Sequence, residues 1–265
     1  MLDKSQLSPP VATANVNAQE IARFDALADA WWDPDGKYKT ALSFNAARVD
    51  FIEQAINKHF RPKGLADALF EGLSVLDVGS GGGLICEPLA KRGADVTGID
   101  ASATSVEVAR RHALKQNLPV SYHHCLAGEW ADKGQQYDVV INAEVVEHVP
   151  DQQTLIQECA SMVKPGGLLI LATLNRTFRS FIVAIVGAEY VMRYLPVGTH
   201  SWSKFVKPEE LDSWTGSQFV RHAQSGFKLN PLTGHWKTTP SMAVNYLCCY
   251  KKAALTVRSS RPVVG

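Results

Sequence analysis

The 265 residues carry almost no surplus charge: 27 Lys and Arg stand against 26 Asp and Glu, a formal net charge of +1. Non-specific nucleic-acid binding draws on a basic field, and without one neither DNA nor RNA is expected as a partner. Cysteine is scarce as well. Cys86, Cys125, Cys159, Cys248 and Cys249 form no C-x-x-C set, so neither a zinc cluster nor a disulfide framework is indicated and a reducing compartment fits. No apolar run approaches the length of a membrane span, and the N-terminus has neither the apolar core of a signal peptide nor the arginines of a transit peptide. A soluble or peripheral protein is expected, and 46% apolar content is ample for one large α/β domain.

A dinucleotide fingerprint is missing too. Residues 75–83 read Val-Leu-Asp-Val-Gly-Ser-Gly-Gly-Gly, a strand breaking into a tight turn and a helix start. The third glycine of G-x-G-x-x-G falls too early and Leu84 takes its place. The glycines still let backbone N–H groups come close to a ligand, because no Cβ blocks the approach. About 20 residues further on, Val96-Thr97-Gly98-Ile99-Asp100 is a second strand ending in a carboxylate that can accept both hydroxyls of a ribose. A pyrophosphate would need cationic or helix-N-terminal help. A sulfonium and an amino group, as in S-adenosyl-L-methionine, suit Asp77 instead. The pattern resembles motif I and the acidic loop of the class I methyltransferases.

Residues 1–17, rich in Ser, Pro, Ala and Asn, are expected to be a disordered tail. Apolar residues then recur at helical spacing over 18–32 and stop at the turn cluster Asp33-Pro34-Asp35-Gly36. Trp31 and Trp32, beside that turn, either cap the core or wall a substrate pocket. A helix over 45–60 carries Arg48, a solvated charge unless this helix lies over the glycine turn. Helices over 84–92, 103–116 and 151–163 alternate with strands over 120–125, 137–142 and, after the turn Lys164-Pro165-Gly166-Gly167, 168–173. That alternation means a parallel sheet with covered faces, whose ligands gather at the carboxyl ends of the strands; Gly79, Asp100 and Ala143 fall at such ends. A helix over 208–215 and a last strand over 243–251 follow. Residues 18–255 are read as one domain and 256–265 as a loose tail.

Two further constellations stand out. Glu144-Val145-Val146-Glu147-His148 puts two carboxylates and an imidazole directly after the fourth strand. They can bind a divalent cation, or shape the pocket and cap the next helix without one. Residues 176–200 form an insertion whose run Phe181-Ile182-Val183-Ala184-Ile185-Val186-Gly187-Ala188 is continuously apolar, with Arg176, Arg179 and Arg193 at its edges. It fits an interfacial membrane helix over 178–196, and equally a buried lid or a dimer contact.

Taken together, the chain resembles the ubiquinone-biosynthesis O-methyltransferases of bacteria and mitochondria from about residue 18 to 252. Beyond motif I, the resemblance rests on Trp31-Trp32-Asp33, Glu144 to Val149, Thr173-Leu174-Asn175-Arg176, Val186-Gly187-Ala188-Glu189-Tyr190, Gly198-Thr199-His200, Asn230-Pro231 and Val244-Asn245-Tyr246. It implies a Rossmann-like class I methyltransferase fold: a mostly parallel seven-stranded sheet with helices on both faces, extra N-terminal helices and an inserted helix after the fifth strand. It implies cofactor contacts at Arg48, Gly79, Asp100 and Ala143, beside Asp77, and a divalent cation, magnesium or zinc, on Glu144, Glu147 and His148. Ser80 departs from the family's usual Cys, and Ala143 stands where some members carry Met. The implied reaction is methyl transfer to a hydroxyl of polyprenylated catechols, 2-polyprenyl-6-hydroxyphenol and 3-demethylubiquinol. The implied setting is peripheral, on the cytoplasmic face of the bacterial inner membrane or the matrix side of the mitochondrial one, among other coenzyme Q biosynthesis proteins. The alternatives are a metal-free methyltransferase on another lipid or phenol, with His148 or His200 as general base, and a non-catalytic scaffold.

Overall fold

The computed structural model describes residues 15–27, 32, 39–61, 70–180, 202–230 and 233–254. Trp31, His200 and residues 181–196 of the apolar insertion lie outside them. One eight-stranded sheet runs through the molecule in the order β3-β2-β1-β4-β5-β8-β6-β7. Its parallel half comprises β1 (Ser74–Val78), β2 (Asp95–Asp100), β3 (Val120–His124), β4 (Tyr137–Ala143) and β5 (Val163–Leu174). The antiparallel half comprises β6 (Phe219–Leu229), β7 (Trp236–Thr239) and β8 (Asn245–Lys252). Strand order reverses between β1 and β4, which opens a crevice at their carboxyl ends.

The count is eight rather than seven because β7 adds an edge to β6. β5 also begins earlier than expected: the 164–167 turn is an irregularity inside the strand, where pairing passes from Tyr137 with Val163 to Val139 with Leu168.

Among the described residues eight helices accompany the sheet: α1 (Ala18–Leu27), α2 (Lys39–Phe60), α3 (Cys86–Lys91), α4 (Ala103–Lys115), α5 (Ala127–Ala131), α6 (Gln152–Ser161), the single turn α7 (Phe178–Ser180) and α8 (Pro208–Thr215). Local chemistry sets several starts. The Ser102 hydroxyl accepts the Ser105 N–H and Asp151 accepts the Thr154 N–H, while Pro208, lacking an N–H, opens α8.

Alternation along β1 builds both halves of the core. Val75 packs among Ile52 and Ile56 of α2, Leu89 of α3 and Val106 of α4. Its neighbour Leu76 packs on the other face with Ile156 of α6, Leu211 of α8 and Tyr246 of β8. Ile56 is fully buried, so truncating it to Ala costs about 2–5 kcal/mol. α2 begins beside the crevice, where Asn45 Nδ2 donates to Leu84 O. It ends at the opposite end of the strands, where His59 Nε2 donates to Gly166 O near the start of β5.

Candidate active site

The crevice is built on the turn between β1 and α3. The N–H groups of Gly79 and Ser80 both donate to Ile99 O of β2, at 2.8 and 3.0 Å. Gly79 has φ 80°, and a Cβ there would collide with the Val145 side chain. Gly81 has φ 51° and faces open space, with nothing within 4 Å of where its Cβ would be. The turn therefore needs glycine for packing at one position and presents bare backbone at the other.

Two acids serve this turn in different ways. Asp100 ends β2 and accepts the Gly81 N–H on Oδ2 at 2.8 Å and the Ser102 N–H on Oδ1 at 2.7 Å. Burial holds its carboxyl above the ordinary range, against the pull of those two amides. Asp77 lies beneath the turn, 2% exposed, with Cys86 Sγ donating to its Oδ2 at 3.3 Å. Burial pushes its carboxyl up to about 7; the Cys86 hydrogen bond and the Arg48 charge restrain the rise and Asp100 adds to it. The charge expected to face a sulfonium from Asp77 thus sits under the glycine turn and is poised to titrate.

Arg48 does lie over the crevice. Its Nη2 donates to Asn45 Oδ1 at 2.7 Å, and Nη1 stands 3.4 Å from Glu144 Oε1. Nε and Nη1 are buried and have no hydrogen-bond acceptor. Glu144, the first residue after β4, has φ 58°, a left-handed conformation that costs a non-glycine residue about 1–3 kcal/mol and gathers at functional sites. Its amide is tied to Ala172 O at 2.8 Å.

The ligand set expected at Glu144, Glu147 and His148 is not assembled. Glu144 faces Arg48. Glu147, 5% exposed, turns into the sheet, where Thr173 Oγ1 donates to its Oε2 at 2.8 Å. His148 Nδ1 donates to Glu20 Oε2 of α1 at 2.9 Å. Burial opposes a charge on His148, but the Glu20 hydrogen bond and the fields of Glu147, Glu20 and Glu144 outweigh it and raise the imidazole's pKa. A histidine binds a metal as the neutral imidazole. Among the described residues no three His, Cys, Asp or Glu side chains are placed to hold one ion, so the three side chains as they stand do not fit a cation.

α1 supplies groups that local pattern did not reveal. Besides Glu20, Asp25 accepts the Ser102 hydroxyl, and just ahead of the helix Asn15 bonds both Asp151 N and O. Trp32, expected either to cap the core or to wall a substrate pocket, donates its Nε1 to Gly82 O of the glycine turn at 2.9 Å. The helical period over 18–27 was a signal for an amphipathic face. That the partners of its acids lie after β2 and β4 is a tertiary fact.

A glycine turn closed by an acid on the neighbouring strand, with a buried guanidinium beside it at the switch point of a sheet in this order, defines a class I methyltransferase. Residues 76–171 match the family described as a methyltransferase domain. The chain belongs to the ubiquinone biosynthesis O-methyltransferase family. It is 44% identical over 245 residues to the Ubiquinone biosynthesis O-methyltransferase of Chelativorans sp., covering 92% of this chain and 97% of that one. It is 43% identical over 248 residues to the protein of that name from Mesorhizobium japonicum, covering 93% and 100%. Among solved structures, the fold is similar to magnesium protoporphyrin IX methyltransferase from Synechocystis with bound SAH, at TM-score 0.62 and 20% identity over 88% of this chain and 99% of that one.

Proposed function

We propose that this chain transfers the methyl group of S-adenosyl-L-methionine to a phenolic hydroxyl of a polyprenylated catechol or quinol, of the 2-polyprenyl-6-hydroxyphenol and 3-demethylubiquinol kind. The observation that carries the reading is the open face of Gly81 between the Asp100 carboxylate and the Arg48 guanidinium, whose Nε and Nη1 have no hydrogen-bond acceptor. Each Asp100 oxygen has spent one lone pair on an amide and keeps another for a ribose hydroxyl. Arg48 has buried N–H groups for the methionyl carboxylate. Gly79 and Ala143 offer backbone to the nucleoside, and Asp77 becomes charged as the sulfonium arrives above it.

Methyl transfer needs the phenol oxygen near its anion and in line with the sulfonium. At the end of β4 the Glu144 carboxylate, 3.4 Å from Arg48, is the group placed to take the hydroxyl proton. His148, whose pKa rises against burial through the Glu20 hydrogen bond and the nearby carboxylates, stabilises the developing phenolate when it is protonated. A magnesium or zinc ion would supply Lewis acidity, but the present partners of Glu144, Glu147 and His148 give it no support. His200, the other candidate base, lies outside the described residues.

The polyprenyl tail calls for a membrane surface. Phe178 is 75% and Trp202 42% exposed at the two ends of the apolar insertion, and Arg179 is exposed beside Phe178. This supports peripheral contact of residues 178–196 with an anionic leaflet, at the cytoplasmic face of a bacterial inner membrane or the matrix side of the mitochondrial one, beside other coenzyme Q biosynthesis proteins. Among the described residues no helix is long and apolar enough to cross a membrane. The deciding experiment follows a labelled methyl from S-adenosyl-L-methionine to a short-tail catechol. Transfer to one hydroxyl, lost in Asp100→Ala, is expected; cofactor binding with no transfer to any catechol leaves the scaffold reading instead.

A further inference from the structure

We infer that Trp32, bonded to the glycine turn, is a positioning residue for the methyl donor. The inference rests on the donor occupying that turn. Gly82, whose carbonyl accepts the indole N–H at 2.9 Å, directly follows Gly81, the open residue of the turn. The indole does not hang from this bond alone. It lies flat on the His112 ring, with centroids 3.6 Å apart and planes 5° from parallel.

His112, on α4, is itself anchored. Its Nδ1 donates to Glu87 Oε1 at 2.6 Å, and Glu87 has no exposed surface. Glu87 stands in the first turn of α3, where its own N–H returns to Gly83 O at 3.1 Å. The path therefore closes on itself: glycine turn, Glu87, His112, Trp32, and back to the turn at Gly82. The second Glu87 oxygen is buried without a hydrogen-bond partner.

The described residues ahead of Trp32 are fixed at three points. Asn15 binds Asp151, Glu20 binds His148 and Asp25 binds Ser102. With Gly82, these anchors follow the ends of β4, β2 and β1, the strands that carry the proposed contacts Ala143, Asp100 and Gly79. A ligand on those contacts is bordered by these anchors. Trp32 is the anchor on the glycine turn itself, so its loss acts first on how long the nucleoside stays.

Three variants of the full chain test this: Trp32→Phe keeps a ring on His112 and loses the N–H, Trp32→Ala loses both, and His112→Phe keeps the stack and loses the tie to Glu87. S-adenosyl-L-homocysteine is the probe, with its affinity by calorimetry and its dissociation rate by stopped flow. Trp32→Ala should weaken binding about tenfold or more, as expected for one hydrogen bond plus one stacked pair, mainly through faster dissociation. Trp32→Phe and His112→Phe should fall between it and the parent. The change should appear in KM for the donor and not in KM for the catechol, a split that general loosening of the fold does not produce. If Trp32→Ala does not fold, Trp32→Phe decides alone, with about threefold faster dissociation expected. Parent-like dissociation in a folded Trp32 variant overturns the inference. A parent chain that binds no S-adenosyl-L-homocysteine instead overturns the reading of the turn beneath it.

Discussion

Asp100 and Gly81 are joined carboxylate to amide at 2.8 Å across 19 residues of sequence. One side chain thereby sets the shape of the turn and is left to meet the ribose, so the two duties fail together. Asp100→Asn puts an N–H₂ where an acceptor is needed, against the Gly81 or the Ser102 amide. We expect a loss of about 1.5–3 kcal/mol in donor affinity, the range for hydrogen bonds to a charged group, or roughly 10- to 150-fold in Kd. Calorimetry with S-adenosyl-L-homocysteine reads it directly, and an unchanged Kd sinks the role given to Asp100.

Asp77 makes a prediction about protons. Its folded pKa of about 7 lies above the ordinary 3.8, so its contribution to stability is complete below about pH 4 and disappears as pH rises through 7. Asp77→Asn cannot ionise, and the unliganded variant should melt above the parent at pH 8, with the advantage shrinking toward pH 4. A sulfonium over the turn favours the charged carboxylate, so the parent should release protons on binding S-adenosyl-L-methionine near pH 6.5. Calorimetry in two buffers of different ionisation enthalpy measures the release. It should be smaller for S-adenosyl-L-homocysteine, which lacks the sulfonium charge, and should fall in Asp77→Asn. Equal release by parent and variant assigns the proton elsewhere.

The two acids also mark how far the sequence could be read. Both were legible as the acids of a glycine turn, and Asp100 sits at its strand end as the spacing requires. That Asp77 points beneath the turn depends on the Cys86 thiol opposite it, a contact no local pattern announces. β1, β4 and the last part of β5 were legible because they are buried on both faces and read as apolar runs. β6 was not read, because its first six residues alternate between half-buried and exposed and include Arg221, His222 and Gln224. β7, at four residues, is shorter than any window in which alternation can be counted. The Asn230-Pro231 turn ahead of Gly234 was the available hint of a hairpin. Glu144, Glu147 and His148 were found as a cluster in sequence. Whether neighbours in sequence share a ligand depends on backbone direction, and across the left-handed Glu144 and the 3-10 turn Val146–His148 their side chains diverge.

Glu144 offers a way to separate stability from function. Glycine adopts φ 58° without the clash that a Cβ makes, so Glu144→Gly should relieve strain on the order of 1 kcal/mol while removing the carboxylate. The variant should melt at or above the parent temperature and lose at least about tenfold in kcat, in the range general-base catalysis contributes. Glu144→Gln keeps the strain and lacks the base, so it should share the loss of activity without the gain in stability. A Glu144→Gly enzyme with parent-like kcat would show that the carboxylate takes no part in proton transfer.

The last prediction concerns the apolar insertion. Phe178 at 75% exposure and Trp202 at 42% are large apolar side chains in water, and the Trp202 indole is fixed by its N–H to Thr177 O at 3.0 Å. A ring held at a fixed height with an exposed face suits the headgroup level of a bilayer, and Arg179 beside it adds about 1 kcal/mol against an anionic leaflet. Arg176 is already committed to Glu210, so it does not join in. The chain should sediment with vesicles containing phosphatidylglycerol and less so as salt rises, since screening shortens the reach of these cations. Replacing Phe178, Arg179 and Ile182 by Glu should abolish sedimentation. It should raise KM for a long-tail quinol presented in vesicles, and leave both KM for a soluble short-tail catechol and the affinity for S-adenosyl-L-methionine as in the parent. If the insertion is instead a lid packed on the protein, the same substitutions lower the melting temperature and damage the short-tail reaction equally. A parent chain that ignores anionic vesicles at low salt ends the membrane proposal and leaves the methyl transfer standing.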